Sequence, residues 1–205
     1  MEKKKKQRNG ANRNVDEKKK RLKKAVGKIL GEKGFGHLGV NKVSFEAGIS
    51  KNLIYRYFGS YKNLIEQYSE DIDYWLNQAE PPASDILDEK EIVKSILRKQ
   101  FEYLTSHPQM RQLVLWELHE SNYNTTSLLK KREQFAEDFI LKRMDKKFKN
   151  NVDFRAVLAV LVASVYHLAA FSSIQKSTFC GIDLREKKGK QRIVNAIELI
   201  LDEVI

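Results

Sequence analysis

The chain has 205 residues, 38 Lys and Arg against 27 Asp and Glu, and a formal net charge of +11. That length holds one large domain, or a small and a medium one. A single cysteine excludes an internal disulfide, and three Pro and ten Gly beside many Leu, Ile, Lys and Glu favour helix over sheet.

The charge is unevenly placed. Residues 1–62 hold 18 Lys and Arg against 5 Asp and Glu, and the remainder holds 20 against 22. A localised excess of this kind suits a polyanion, because each neutralised phosphate releases counterions. Residues 1–14 are basic, with Asn and Gly and almost nothing apolar, and read as a disordered arm. A first helix is expected over about 16–33. Leu22, Ala25, Val26, Ile29 and Leu30 fall at i, i+3, i+4, i+7 and i+8, with lysines on the other face. Gly34 ends it. Short helices are expected at about 40–47 and 51–58, joined by Gly48, Ile49 and Ser50. Gly48 supplies the positive φ of a tight turn, Ile49 plugs it, and Ser50 is placed to cap the next helix. Lys51, Asn52, Tyr55, Arg56 and Tyr57 give that helix groups that bind phosphates and base edges. Ile54 and Phe58 read as core. Gly59 stops the helix and Ser60 can cap another, expected to run to about Gln78.

Leu22 to Leu64 resembles the DNA-binding domain of the TetR family of bacterial transcriptional regulators. The matching parts are the amphipathic first helix, Gly34-Phe35, Val43-Ser44 with Ala47-Gly48-Ile49-Ser50, Ile54-Tyr55 with Tyr57-Phe58, and Ser60 with Leu64. Gly39 stands where the family usually has Thr, Leu53 where a small polar residue is common, and Tyr61 where Lys is usual, with Lys62 one step on. The resemblance implies an all-α fold of about nine helices. It combines a three-helix helix-turn-helix DNA-binding domain with a C-terminal helical effector-binding and dimerisation domain. We place the boundaries at 1–14 for the arm, 15–62 for the DNA-binding domain and 63–205 for the remainder. Lys51 and Asn52 lie at the helix end that reaches bases, and Leu53, pointing outward, would meet a thymine methyl. Tyr55, Tyr57 and Lys62 suit phosphates.

Beyond 62, Glu80-Pro81-Pro82-Ala83-Ser84 reads as a loop. Helices are expected over 88–105, with Ile92, Val93, Ile96, Leu97, Phe101 and Leu104 at helical spacing, and over 110–120. Asn122 to Thr126 reads as a loop. A long charged helix follows from Leu128 to about Phe148, with Leu128, Phe135 and Phe139 on its stripe. Ala156 to Phe171 is the most apolar segment. At 16 residues it falls short of the ~20 needed to span a bilayer, so it reads as a helix buried on all sides. Residues 172–190 read as a polar loop, and a last helix is expected over about 190–203.

The four histidines, His37, His107, His119 and His167, pair with no other His or Cys at ligand spacing, and the spacing of Glu117, His119 and Glu120 does not put all three on one helix face, so no metal and no cofactor is expected. No nucleophile or phosphate-loop motif argues for an enzyme. Tyr103, Trp116, His119, Tyr166, His167 and Phe171 combine apolar bodies with polar tips and are the candidates for an effector pocket. The expected partners are a pseudo-palindromic double-stranded DNA operator, a second copy of the chain and a small-molecule effector, with no membrane. The expected location is the cytoplasm, since no secretory signal follows Met1. The function implied is a homodimeric repressor released by its effector. A regulator without an effector and a helical enzyme are the alternatives. Leu161 and Ile197 are taken as outward positions on the two dimer helices.

Overall fold

A computed structural model describes residues 2–79, 88–119, 123–141 and 153–205, with side chains except at 2–12, 123–126 and 139. The fold is all-α. Among the described residues there is no strand, only an isolated bridge between Phe179 and Ile182.

The N-terminal head is built from α1 (Glu2–Lys33), a 3-10 turn (Phe35–His37), α2 (Val40–Ala47), α3 (Lys51–Phe58) and α4 (Tyr61–Ile72). The α1 stripe meets Val43, Ala47, Ile49, Ile54, Phe58, Leu64, Ile65 and Tyr68 in one core. α1 extends back to Glu2, through the segment whose composition suggests an arm. Its Lys, Arg, Gln and Ala are good helix formers, so a helix nucleated by the packed stripe propagates outward.

The helix expected to reach Gln78 breaks at Asp73. That residue is extended (φ −66°, ψ 129°), and its carboxylate accepts from the Leu76 backbone N–H at 3.2 Å, capping a short α5 (Tyr74–Asn77).

The C-terminal bundle contains α6 (Glu89–Ser106), α7 (Pro108–His119), α8 (Tyr123–Ala136), α9 (Phe154–Ile174) and α10 (Lys187–Val204). α7 starts on Pro108, at the position where a missing N–H costs nothing. α8 begins at Tyr123, inside the expected loop, and runs on into a π turn at Glu137–Leu141. α6 is central: it packs on α7, α9 and α10. Lys94 of α6 donates to Asp202 of α10 at 2.7 Å, and Arg98 to Glu198 at 2.8 Å. The Pro-rich stretch at 80–84 and the end of the long charged helix at 142–148 lie outside the described residues.

Two expectations about the last helices change. α9 is a single helix of 21 residues, long and apolar enough to cross a membrane by length and composition. It is not buried on all sides. Leu158, Leu161, Val165, Leu168 and Ala169 enter the core, while Ala156, Ala159, Val160 and Ala163 face outward. Leu161 and Ile197, taken as outward positions, are 3% and 4% exposed, because the helix phase turns them toward α6. The loop before α10 is shorter than expected. It folds over a two-residue turn at Cys180 and Gly181, both with positive φ. Gly189 then seats α10 on this loop: a Cβ there would lie 1.8 Å from the Asp183 carbonyl oxygen.

The head and bundle meet through α1 and α7. Gly31 and Gly34 face Gln109 and Gln112 of α7, and Ile72 and Trp116 pack on both cores.

Candidate nucleic-acid interface and ligand cavity

The turn between α2 and α3 is fixed by three local devices and one bond from α1. Gly48 takes a left-handed conformation (φ 61°, ψ 37°). Ile49 is buried beneath it. Ser44 Oγ donates to the Ile49 carbonyl at 2.5 Å, and Arg21 of α1 donates to the Ala47 carbonyl at 2.7 Å. The Ser50 side chain accepts from the Asn52 backbone N–H at 3.4 Å, a long bond. The Ser60 cap of α4 is better formed: it accepts from the Asn63 backbone N–H at 3.0 Å. Gly39, by contrast, caps α2 with no side chain.

On α3, Ile54 and Phe58 are buried. Lys51, Asn52, Tyr55 and Arg56 are exposed together on the opposite face, and Lys62 is exposed at the start of α4. Leu53 and Tyr57 are half-buried and pack against the head core, so Leu53 sits at the rim of the exposed face rather than fully outside it. Tyr61, where the family usually has Lys, is also half-buried. Burial pushes its hydroxyl up to about 12, and among the described residues that hydroxyl has no hydrogen-bond partner. The result is a two-turn helix with a polar, basic outer face and an open N-terminal end.

The six pocket candidates do not come together. Tyr103 donates its hydroxyl to the Ile72 carbonyl at 2.9 Å and stacks on His107. Trp116 and His119 lie at the seam between head and bundle, His119 with its ring 5.5 Å from Phe35. His167 and Phe171 pack around Phe179 of the loop before α10. Of the six, Tyr166 lines a cavity of about 280 Å³. Its apolar walls come from α8, the π turn and α9, through Leu129, Ile140, Leu141, Leu158 and Val162. The π turn adds a residue to the helical ladder where α8 borders this space.

The polar end of the cavity holds Trp75, Tyr166 and Arg132. Trp75 Nε1 donates to the Tyr166 hydroxyl at 2.7 Å. Behind them lies a buried ionic triad. Arg132 Nε and Nη2 donate to Asp73 Oδ2 at 2.8 and 2.5 Å. Its Nη1 and Nη2 donate to Glu117 Oε2 and Oε1 at 2.7 and 2.9 Å. The three side chains are 0–7% exposed. Burial raises Glu117 above the usual carboxylate range, with Arg132 opposing the shift. Arg132 was not singled out from the sequence, yet a signal existed: it falls between Leu128 and Phe135 at stripe spacing, a charge where an apolar residue is expected. Among the described residues, no group of three or more His, Cys, Asp or Glu could hold a metal ion.

Comparison with known proteins bears on both regions. Residues 25–68 match the family described as bacterial regulatory proteins, tetR family. No curated protein matches the chain. Solved structures resemble nearly its whole length. A TetR family transcription regulator from Marinobacter aquaeolei has TM-score 0.69 at 17% identity, covering 94% of this chain and 98% of its own. The fatty acid degradation regulator FadR of Bacillus halodurans has TM-score 0.67 at 16% identity, covering 89% and 96%. FadR of Bacillus subtilis, solved in complex with stearoyl-CoA, has TM-score 0.66 at 16% identity, covering 88% and 96%. At these identities the likeness is one of fold.

Proposed function

From residues 25–68, which are a TetR-family N-terminal domain, we propose a homodimeric DNA-binding repressor that a small molecule releases from its operator. The observation that carries this reading is the exposed Lys51, Asn52, Tyr55 and Arg56 face of α3. The buried Ile54 and Phe58 hold it at a fixed angle. Lys51 and Asn52, at the N-terminal end, read base edges in the major groove; Tyr55, Arg56, Tyr57 and Lys62 bind phosphates. The half-buried Leu53 offers its edge to a thymine methyl. The basic segment 1–14 adds phosphate contacts.

One recognition helix reads only a few base pairs. A two-fold dimer sets two of them about one DNA turn apart, roughly 34–36 Å. The outward faces of α9 and α10 supply the apolar surface for that dimer: Val160 is 68% exposed and Leu199 62%, with Ile200 beside it. The cavity behind Tyr166 is the effector site. Its polar end lies against Asp73, where α4 breaks, so occupancy biases the helix that enters the head.

Selection of bound sequences from a random DNA pool tests the reading. Lys51→Ala and Asn52→Ala should each cost about 1–3 kcal/mol on the selected operator and little on random DNA. Val160→Glu and Leu199→Glu should give monomers by sedimentation and abolish operator binding. Wild-type-like binding by both recognition-helix variants, or a stable wild-type monomer at micromolar concentration, would refute it.

A further inference from the structure

The polar end of the cavity has an unused donor and no spare charge. Among the described residues, the Tyr166 hydroxyl accepts from Trp75 Nε1 and donates to nothing. Burial pushes that hydroxyl up to about 12, so it keeps its proton at neutral pH. A buried O–H without an acceptor is costly, and a bound molecule that supplies one removes the cost. Arg132, on the same wall, has five N–H groups. Four are committed: one from Nε and one from Nη2 to Asp73, and one each from Nη1 and Nη2 to Glu117. One N–H on Nη1 remains.

The charge balance excludes the obvious ligand for an arginine. Arg132 already faces two carboxylates. With both ionised, the triad is net negative, and a third carboxylate would add repulsion in a site with little water to screen it. At the polar end an ammonium group would meet Arg132 and the Tyr166 O–H, both donors, while the carboxylate on the wall, Glu133, is exposed to solvent. A carbonyl oxygen fits: it is neutral and its two lone pairs accept two hydrogen bonds. The remaining wall is mostly Leu, Ile, Val and Ala, which asks for an aliphatic body; its two other charged residues, Glu133 and Arg155, are exposed, and Arg155 donates to Glu137 at 2.8 Å.

Resting on the reading of this cavity as the effector site, we infer that its ligand is an uncharged aliphatic carbonyl compound, whose oxygen accepts from the Tyr166 hydroxyl. Tyr166 is then the residue that selects the effector's head group. The carbonyl would sit beside Trp75, two residues beyond the Asp73 break, and so bear directly on the end of α4.

The test uses the full chain and three probes of matched size: methyl octyl ketone, decanoate and decylamine. Binding is followed by calorimetry, and by tryptophan fluorescence in wild type and Trp75→Phe to locate the probe. The ketone should bind about tenfold or more tighter than either charged probe. Tyr166→Phe should remove most of that advantage, roughly a five- to tenfold loss for the ketone alone, as expected for one neutral hydrogen bond. Trp75→Phe, which keeps the hydroxyl, should retain the ketone preference. If Tyr166→Phe does not fold, the ranking of the three probes on wild type decides the matter. Tightest binding of decanoate would mean that Arg132 takes an anion, and of decylamine that the carboxylates dominate. Either overturns the inference and leaves the cavity an effector site. Binding of none of the three overturns the inference, while operator selection, measured separately, still judges the DNA-binding reading.

Discussion

The head and the bundle are held together by different kinds of interaction. In the head, the turn depends on partners close in sequence: Ser44 with Ile49, Ser60 with Asn63, Asn63 with the Phe58 carbonyl. The Arg21 bond to Ala47 and the exposed Lys28–Glu46 and Lys23–Asp71 pairs reach further along the chain. In the bundle, the polar framework joins residues far apart. Trp75 and Tyr166 are 91 positions apart, Arg132 and Asp73 59, Lys94 and Asp202 108. Short-range devices make a rigid surface that stays the same whatever the rest of the chain does, which suits a recognition helix. Long-range pairs make a cavity whose walls belong to different helices, which suits a site that must change shape when filled.

The largest test of this contrast is Arg132→Leu. It leaves Asp73 and Glu117 buried without their cation, and should destabilise the bundle by about 3–5 kcal/mol. Urea unfolding measures it. A loss no greater than that of a helix cap would mean that the long-range triad does not hold the bundle. Gln100→Leu should move stability the other way. Gln100 is fully buried on α6, and among the described residues neither of its side-chain polar atoms has a hydrogen-bond partner. Replacing it with an apolar residue of similar size should gain about 1–3 kcal/mol, read from the same unfolding curves.

The head offers a finer comparison. Ser60→Ala should cost about 1 kcal/mol, and Ser50→Ala less, because the Ser50 bond is 0.4 Å longer (3.4 against 3.0 Å). Equal losses would mean that cap geometry does not discriminate between them. The smallest effect concerns pH. Burial raises the Glu117 pKa in the folded chain, so the fold binds this proton more tightly than the unfolded chain does. The associated stability is fully present below the ordinary carboxylate range and is lost as pH rises through the raised value. The stability of Glu117→Gln relative to wild type should therefore increase over that window. A difference independent of pH would place Glu117 at its ordinary value.

How much was legible in the sequence follows the same division. The packed stripe of the head's first helix, its core and its turn were readable, because the apolar spacing of Leu22 to Leu30, the turn at Gly48 and the caps at Ser50 and Ser60 are local chemistry; the start of α1 and the end of α4 were not. The break at Asp73 was not. An Asp within an apolar-periodic helix looks like an exposed residue until Arg132, 59 positions on, is seen against it. The pocket candidates were chosen for residue type alone. One of six lines the cavity, and the rest find partners elsewhere: Tyr103 on the Ile72 carbonyl, His119 on Phe35, Phe171 on Phe179. The apolar run of α9 was plain, but not its phase. Leu161 and Val160 are equally hydrophobic, and only packing against α6 turns one inward and leaves the other exposed. By itself the sequence determined the all-helical class, the basic head and its helix-turn-helix, because backbone propensity, capping and charge act over a few residues. The cavity, its buried triad and the outward face of α9 were decided by tertiary structure, because they depend on which side chains meet when distant helices pack.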